Sequence, residues 1–112
     1  MSPEKIIQKQ VEAYNSRNLS DFLSCHHPEV QLFNFSEPVP FAVGIPSVRK
    51  IYQTVFDTSP NLHTEILHRM SLNNTVIDHE IVTGRSGAER LEIIAIYEVE
   101  DDMIRKAHFI RK

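Results

Sequence analysis

The spacing of apolar residues changes once along the chain, and this change constrains the fold more than any other feature. Up to about residue 60, apolar side chains recur every three or four positions, as in amphipathic helices. From Leu62 onward they alternate at every second position, as on half-buried strands. Helices followed by a run of strands are typical of an α+β fold, in which helices cover one face of an antiparallel sheet. We therefore expect a single α+β domain over residues 1–112.

Three helices are predicted from their start and stop signals. Ser2 and Pro3 predict the start of the first helix, because an N-cap serine and a proline at the first helical position are both typical of a helix start. Asn18 caps a short second helix that should end before Pro28. The third helix begins near Gly44 and Pro46 and ends at residues 59–60, Ser-Pro. A strand is predicted over residues 30–35, between the second and third helices.

Four antiparallel strands are predicted after the third helix. They cover residues 62–72, 75–84, 88–100 and 103–111. In the third of them both alternating sets are apolar, because Ile94 and Ile96 lie opposite the set that contains Ile93, Ala95 and Tyr97. A sheet with one solvated face should alternate more cleanly. We therefore expect a homodimer packed through the sheet face, with a few scattered exposed aliphatic residues as the alternative.

Composition excludes several classes of function. The net charge of −3 with no basic stripe argues against a nucleic-acid partner, and no apolar run is long enough to span a membrane. Cys25 is the only cysteine, so no internal disulfide can form. Together with an N-terminus that does not look like a signal peptide, this favours a cytoplasmic location. The three glycines are not spaced for a nucleotide, and no cofactor is expected.

The order and spacing of four short segments resemble the nuclear transport factor 2-like superfamily. These segments are residues 14–21, 27–30, 44–49 and 102–105. Within the superfamily the chain most resembles SnoaL-like and ketosteroid-isomerase-like proteins. The resemblance implies a cystatin-like cone in which a curved antiparallel sheet and three N-terminal helices enclose a mostly apolar pocket, commonly in a homodimer. Members isomerise steroids, cyclise polyketides, dehydrate small molecules or only bind them, so function has to be argued from the site.

The resemblance argues against the known steroid-isomerase route. It places Asn34 at the position of the carboxylate base, Val11 at that of a tyrosine and Ala95 at that of a protonated acid. An amide does not accept a proton at neutral pH, and neither valine nor alanine has a side chain that donates a hydrogen bond. The aspartate that cyclase-like members carry in the last strand is also missing, unless His108 or His79 replaces it.

A different polar set is predicted to form the site. His79, between Ile77 and Ile81, is expected to point inward and to serve as the base, because the ordinary pKa of histidine lies near neutral pH. The resemblance assigns Tyr52 to the hydrogen-bond network of the pocket, and Asn34 completes the catalytic set. The alternative is that His79 is a core histidine and Tyr52 an ordinary helix residue. Four further side chains are expected to bind the ligand: Tyr14, Tyr97, Phe109 and His68.

No metal site is predicted, although the chain has six histidines. His26 and His27 are adjacent and cannot easily share one ion. His79 and Glu80 begin like a zinc-protease motif, but Thr83 stands where the second histidine should be. Three hypotheses remain: an isomerase, cyclase or lyase that transfers a proton in a hydrophobic or amphipathic metabolite, a non-catalytic ligand-binding protein, and a dimeric interaction module.

Overall fold

Helices and strands follow one another in the predicted order, with one additional short strand directly before the third helix. The computed structural model covers all 112 residues. The helices are α1 (Pro3–Asn15), α2 (Leu19–Ser24) and α3 (Gly44–Thr58). The strands are β1 (His26–Asn34), β2 (Ala42–Val43), β3 (His63–Leu72), β4 (Thr75–Thr83), β5 (Arg90–Glu100) and β6 (Met103–Arg111). None of the helices is long and apolar enough to cross a membrane.

The predicted caps begin the first two helices. The Oγ of Ser2 accepts a hydrogen bond from the N–H of Lys5, and Pro3 occupies the first turn. The Oδ1 of Asn18 accepts from the N–H of Asp21 at 3.0 Å. Each bond satisfies an N–H group that the first turn of a helix leaves without a backbone partner. Helix α2 ends before Pro28, as predicted.

The six strands form one curved, unclosed sheet in the order β2-β1-β6-β5-β4-β3. This confirms the α+β cystatin-like fold, with one correction: β1 runs parallel to β6, so the sheet is mixed rather than wholly antiparallel. Strand β1 also begins earlier than predicted, at His26, and contains Pro28. The pairing with β6 is irregular between His26 and Gln31, which accommodates a residue without an N–H group.

All three helices contribute to a core on one face of the sheet. Ile7 of α1, Phe22 of α2 and Val48 of α3 are almost completely buried. On the sheet side, the alternating set of β5 that contains Ile93, Ala95, Tyr97 and Val99 points toward these helices, as predicted. Burial of this apolar surface is the main favourable contribution to folding.

The opposite face of the sheet carries no helix. Ile94 and Ile96 of β5 are half-buried there, beside His108 of β6. The ring of His108 stacks on Phe33 with 4.7 Å between centroids. We call this surface the outer face.

Candidate functional site

A pocket lies between helices α1 and α3 and the inner face of the sheet. Counted out to its open mouth it encloses about 440 Å³, and little of this space lies clear of the surrounding atoms. It is therefore a narrow cleft. Seven of its twelve lining residues are hydrophobic, and among the others are acidic and basic side chains. An apolar cleft with a few convergent polar groups is the usual form of a small-molecule site.

Four of the predicted site residues line this pocket: Tyr14, Tyr52, Tyr97 and Phe109. The rings of Tyr14 and Tyr52 pack edge to face, with centroids 6.4 Å apart. Burial raises the pKa of all three tyrosines above the ordinary value of 10. The phenols therefore remain protonated at neutral pH. None of the three hydroxyl groups forms a hydrogen bond within the protein, so each can donate one to a ligand.

The expectation that His79 points into the pocket is wrong. It lies on the outer face, where its Nε2 is 2.7 Å from Oε2 of Glu92. Large apolar neighbours suggested that its side of β4 was the interior, but Ile77 and Ile81 belong to the outer face as well. The set of β4 that points toward the helices is the other one: Val76, Asp78, Glu80 and Val82.

His68 is also on the outer face, and a bulge is the reason. Strand β3 pairs Ile66 with Glu80 but His68 with His79, which leaves Leu67 as an extra residue. One extra residue reverses the direction of every later side chain in a strand. The bulge thus turns His68 outward and brings Arg69 to the inner face.

Asn34 lies beside the pocket rather than in its wall. Its Oδ1 accepts a hydrogen bond of 2.6 Å from Nη1 of Arg111, and Arg111 does line the pocket. The guanidinium group of Arg111 also lies over the ring of Phe109, 4.9 Å from its centroid, and near Phe41. The structure therefore gives Asn34 a supporting contact to a cation, not the direct position that the sequence suggested.

Glu80 is the acidic group of the pocket, and it was missed in the sequence. Its side chain points inward from β4 and the residue is 7% exposed, yet its carboxyl group forms no hydrogen bond within the protein. Burial, and after it the negative charge of Asp78, raise its pKa from 4.5 to about 7; Arg69 partly opposes this. At neutral pH a group with this pKa can either accept or donate a proton.

The charge of Asp78 is fixed by Arg69. Asp78 is fully buried, and its two carboxylate oxygens accept hydrogen bonds from Nε and Nη2 of Arg69 at 2.6 and 2.9 Å. Such two-point pairing combines the attraction of opposite charges with two directed hydrogen bonds. Arg69 is itself oriented by Oε1 of Gln8, which accepts a hydrogen bond from Nη1 at 2.9 Å.

The sequence contains a signal for this pair. Asp78 and Glu80 lie between Val76 and Val82 in the same alternating set of the strand. Two carboxylates on the side of a strand that also carries its valines are unusual for a solvated face. In the sequence this signal competes with His79, because a histidine between two isoleucines also resembles an inward-facing base.

Two further polar atoms in the pocket wall lack partners. The Oε1 of Gln10 and the Oγ1 of Thr64 are buried and form no hydrogen bond. Both residues line the pocket. Buried polar atoms of this kind usually have a partner, because leaving one unsatisfied is unfavourable. The pocket wall therefore contains polar atoms that have no hydrogen-bond partner in the protein and can pair with a ligand.

One group of side chains away from the pocket has the spacing of a metal site. Ligand atoms of His27, Glu100 and Asp101 lie within 4.8 Å of one another. Both acidic residues are exposed, and Asp101 belongs to the turn between β5 and β6. None of the three lines the pocket, so this cluster contributes nothing to its chemistry.

Comparisons with known proteins agree with this architecture. Residues 7–107 match the sequence profile of the SnoaL-like domain. A cystatin-fold protein of Novosphingobium aromaticivorans is 22% identical, with a TM-score of 0.90 and 99% of each chain covered. A protein of Kribbella flavida provisionally assigned as a ketosteroid isomerase is 14% identical, with a TM-score of 0.82 over 98% of this chain and 77% of that one.

A third similar structure is IdmH of Streptomyces antibioticus, provisionally assigned as a polyketide cyclase. It is 15% identical, with a TM-score of 0.81 over 100% of this chain and 93% of that one. No curated protein matches the chain. At these identities the structural similarity shows the fold alone, and the same fold supports unrelated reactions.

Proposed function

The chain belongs to the SnoaL-like domain family, and we propose that it is an enzyme that transfers a proton at a carbon atom beside a carbonyl group. The observation that carries this proposal is Glu80, a buried carboxyl group with a pKa of about 7 in an apolar pocket with three protonated tyrosines. Catalytic acids and bases commonly have pKa values that burial and a neighbouring charge have moved toward the working pH. The reaction is of the isomerase, cyclase or lyase type, and the substrate is a small, largely apolar molecule.

The proposed step begins with the Glu80 carboxylate. It accepts a proton from the carbon next to the carbonyl, and the electron pair of the broken C–H bond moves onto the carbonyl oxygen. The resulting enolate oxygen accepts hydrogen bonds from tyrosine hydroxyl groups that have no other partner. Return of the proton to a different carbon completes an isomerisation, and loss of a group from the adjacent carbon completes an elimination. Donors already aimed at the developing charge lower the barrier because they need little reorganisation.

The Asp78–Arg69 pair supports this role of Glu80. A fixed carboxylate two residues away on the same face of β4 disfavours a second negative charge, so Glu80 retains its proton to a higher pH than usual. Asp78 is consequently a positioning residue, since it acts through Glu80. The relatives provisionally assigned as an isomerase and a cyclase have the same fold and are compatible with this class of reaction.

A proton-exchange assay tests the proposal without knowledge of the substrate. Small ketones, β-keto esters and α,β-unsaturated acids are incubated in D₂O with the protein, and incorporation of deuterium beside the carbonyl is followed by NMR. We expect exchange with some of these compounds to depend on the protein, to rise with pH around 7, and to be lost in Glu80→Gln. Exchange that Glu80→Gln leaves unchanged would remove Glu80 from the mechanism. Binding without any exchange would favour the second candidate function, a non-catalytic binding protein with the same pocket.

Two further properties belong to the same proposal. The outer face, with half-buried Ile94 and Ile96 and no helix to cover it, supports a homodimer packed sheet to sheet.

Cys25 is a single buried thiol with a pKa raised by burial, which fits a reducing compartment such as the cytoplasm.

A further inference from the structure

Two arginines line the pocket without a carboxylate partner. Arg85 is half-buried, and its guanidinium group forms no hydrogen bond and no ion pair within the protein. Arg111 donates one hydrogen bond to the neutral amide of Asn34 and has no acidic neighbour within 4 Å. By contrast, Arg69, which also points inward, is paired with Asp78. The two guanidinium groups in the pocket wall are therefore free to bind an anion.

Both arginines lie at the same end of the sheet. Arg85 is in the turn between β4 and β5, and Arg111 is the last residue of β6. The register pairs Glu80 with Ile93 and Ile93 with Arg111, so these three residues form one row across the inner face. Neighbouring strands are about 4.8 Å apart, which puts the backbones of Glu80 and Arg111 roughly 10 Å apart. An anionic group bound at Arg111 would therefore lie about two strand spacings from Glu80, on the far side of Ile93.

The turn that carries Arg85 is held in place rather than free. A Cβ atom on Gly84 would lie 2.1 Å from the carbonyl oxygen of Asn61, so the backbone can approach this closely only because residue 84 is glycine. On the other side of Arg85, the N–H of Ser86 donates a hydrogen bond of 3.0 Å to Oγ of buried Ser59. Both residues that flank Arg85 are thus anchored to the segment that follows α3.

Arg111 is held as firmly on its side of the pocket. The hydrogen bond to Asn34 and the contact with the face of Phe109 restrict its side chain, and stacking of this kind suits the planar guanidinium group. Because the rotamer is already restricted, little conformational entropy is lost when a ligand binds.

We propose that the ligand of this pocket is a small carboxylate, whose anionic group is bound by Arg85 and Arg111 and whose apolar part contacts the tyrosines. This inference rests on the proposed function only where it treats the carboxylate as a substrate. Binding of the anion itself does not require proton transfer. Guanidinium groups bind carboxylates and phosphates alike through paired hydrogen bonds. A carboxylate is the better fit here, because a phosphate dianion would bring a second negative charge into a narrow pocket that already contains Glu80.

The test compares three probes of similar size: phenylacetate, its neutral analogue phenylacetamide, and phenyl phosphate. Binding to the intact chain is measured by titration of backbone amide resonances at pH 7.5. We expect phenylacetate to bind at least tenfold more tightly than phenylacetamide. The largest changes in amide resonances should lie at the start of β5 and at the end of β6. Arg85→Gln and Arg111→Gln should each weaken phenylacetate about tenfold, since each removes charge-assisted hydrogen bonds, and should change phenylacetamide binding less than threefold.

Arg90→Gln is the matched control, because Arg90 is an exposed arginine next to the same turn that does not line the pocket. Equal affinity for phenylacetate and phenylacetamide, or an affinity that neither arginine variant changes, would overturn the inference. Tighter binding of phenyl phosphate than of phenylacetate would overturn the assignment to a carboxylate.

The two proposals fail in different ways. If proton exchange does not depend on Glu80, the enzyme proposal falls, while the preference of the arginines for phenylacetate is unaffected. If exchange depends on Glu80 but the pocket does not distinguish phenylacetate from phenylacetamide, only the carboxylate inference falls. Glu80→Gln should still bind phenylacetate, and at least as tightly as the unaltered protein, because it removes a negative charge from the pocket.

Discussion

The side chains of Asp78 and Glu80 point from the same face of β4, two residues apart, but only Asp78 has a cation bound to it. Arg69 contacts both oxygens of Asp78, whereas the carboxyl group of Glu80 has no hydrogen-bond partner in the protein. Asp78 is thereby paired with a guanidinium group, whereas burial and the neighbouring charge of Asp78 raise the pKa of Glu80. This separation of two acids by their surroundings is the basis of the catalytic proposal.

The pKa of Glu80 should depend on the charge of Asp78. In Asp78→Asn we expect it to fall below about 7, because a negative neighbour is removed and Arg69 is left without its partner. The measurement is an NMR titration of the Glu80 side-chain carboxyl carbon. Asp57→Asn, on the exposed surface of α3, is the control and should leave the titration unchanged. A Glu80 pKa that stays at or rises above its original value in Asp78→Asn contradicts this account.

Glu80 should also make stability depend on pH. Its folded-state pKa of about 7 lies above the unfolded value of 4.5, so the folded state holds the proton more tightly. The free energy of unfolding therefore falls as pH rises from about 4.5 through 7. Glu80→Gln lacks this dependence. Each pKa unit corresponds to about 1.4 kcal/mol. Between pH 4 and pH 8 the free energy of unfolding of Glu80→Gln should therefore rise by up to about 3 kcal/mol relative to that of the unaltered protein. Urea unfolding at both pH values measures the difference, and parallel profiles for the two proteins would rule this effect out.

Removal of Arg69 should be costly because it leaves Asp78 buried and unpaired. Arg69→Met is expected to lower the free energy of unfolding by about 3 kcal/mol or more. The double variant Arg69→Met with Asp78→Asn should recover part of this loss, because the uncompensated charge is gone. Arg90→Met, at an exposed site, should change stability by no more than about 0.5 kcal/mol. Chemical unfolding of the unaltered protein, Arg69→Met, Asp78→Asn, the double variant and Arg90→Met provides the comparison. A double variant as unstable as the sum of its single changes would argue against coupling of the pair.

Gly84 and Gly87 both have positive φ, but only Gly84 is in close contact with another segment. Gly87→Ala should cost roughly 1 kcal/mol from backbone strain, since a Cβ atom there meets nothing within 4 Å. Gly84→Ala adds an overlap with the backbone of Asn61 and should cost clearly more. Thermal unfolding of the two variants makes the comparison. Equal losses would mean that the turn is not anchored at Asn61.

We expect the outer face to form the interface of the proposed homodimer. Ile96 lies between Ile77 and His108 in the middle of that face, and Ile96→Glu should shift the protein to a monomer. Val39→Glu is a suitable control, because Val39 is an exposed apolar residue in the loop before β2. Sedimentation velocity distinguishes the two states. An unaltered protein that is monomeric at high concentration would exclude the dimer.

The sequence predicted the fold better than the site, and particular residues explain the difference. Helix caps at Ser2 and Asn18 and the alternation in β5 are local patterns, so they could be read without knowledge of the fold. The direction of a side chain in a two-sided apolar strand is not local. For β4, both alternating sets are rich in aliphatic residues, and only the position of the helices shows that Glu80, rather than His79, is inside.

The pocket residues also divide into those that a local pattern predicts and those whose position depends on the fold. Tyr14, Tyr52, Tyr97 and Phe109 were placed in the pocket from helix spacing, strand alternation and family resemblance, and they line it. No pattern in the sequence marks Arg85 or Arg111 as pocket residues, because an arginine in a turn and an arginine at the end of a strand resemble ordinary surface residues. Their position beside Glu80 depends on the pairing of β4, β5 and β6, which no local pattern specifies.

The extra residue in β3 has a consequence for how this chain is compared with others. Before Leu67 the even-numbered residues Thr64 and Ile66 face the helices, and after it the odd-numbered Arg69 does. An ungapped alignment with a relative that lacks the bulge would match Arg69 to a surface position and His68 to an interior one. A one-residue gap at Leu67 therefore has to be considered before one can judge whether a homologue keeps the partner of Asp78. The number of residues in this strand is then as informative as their identity.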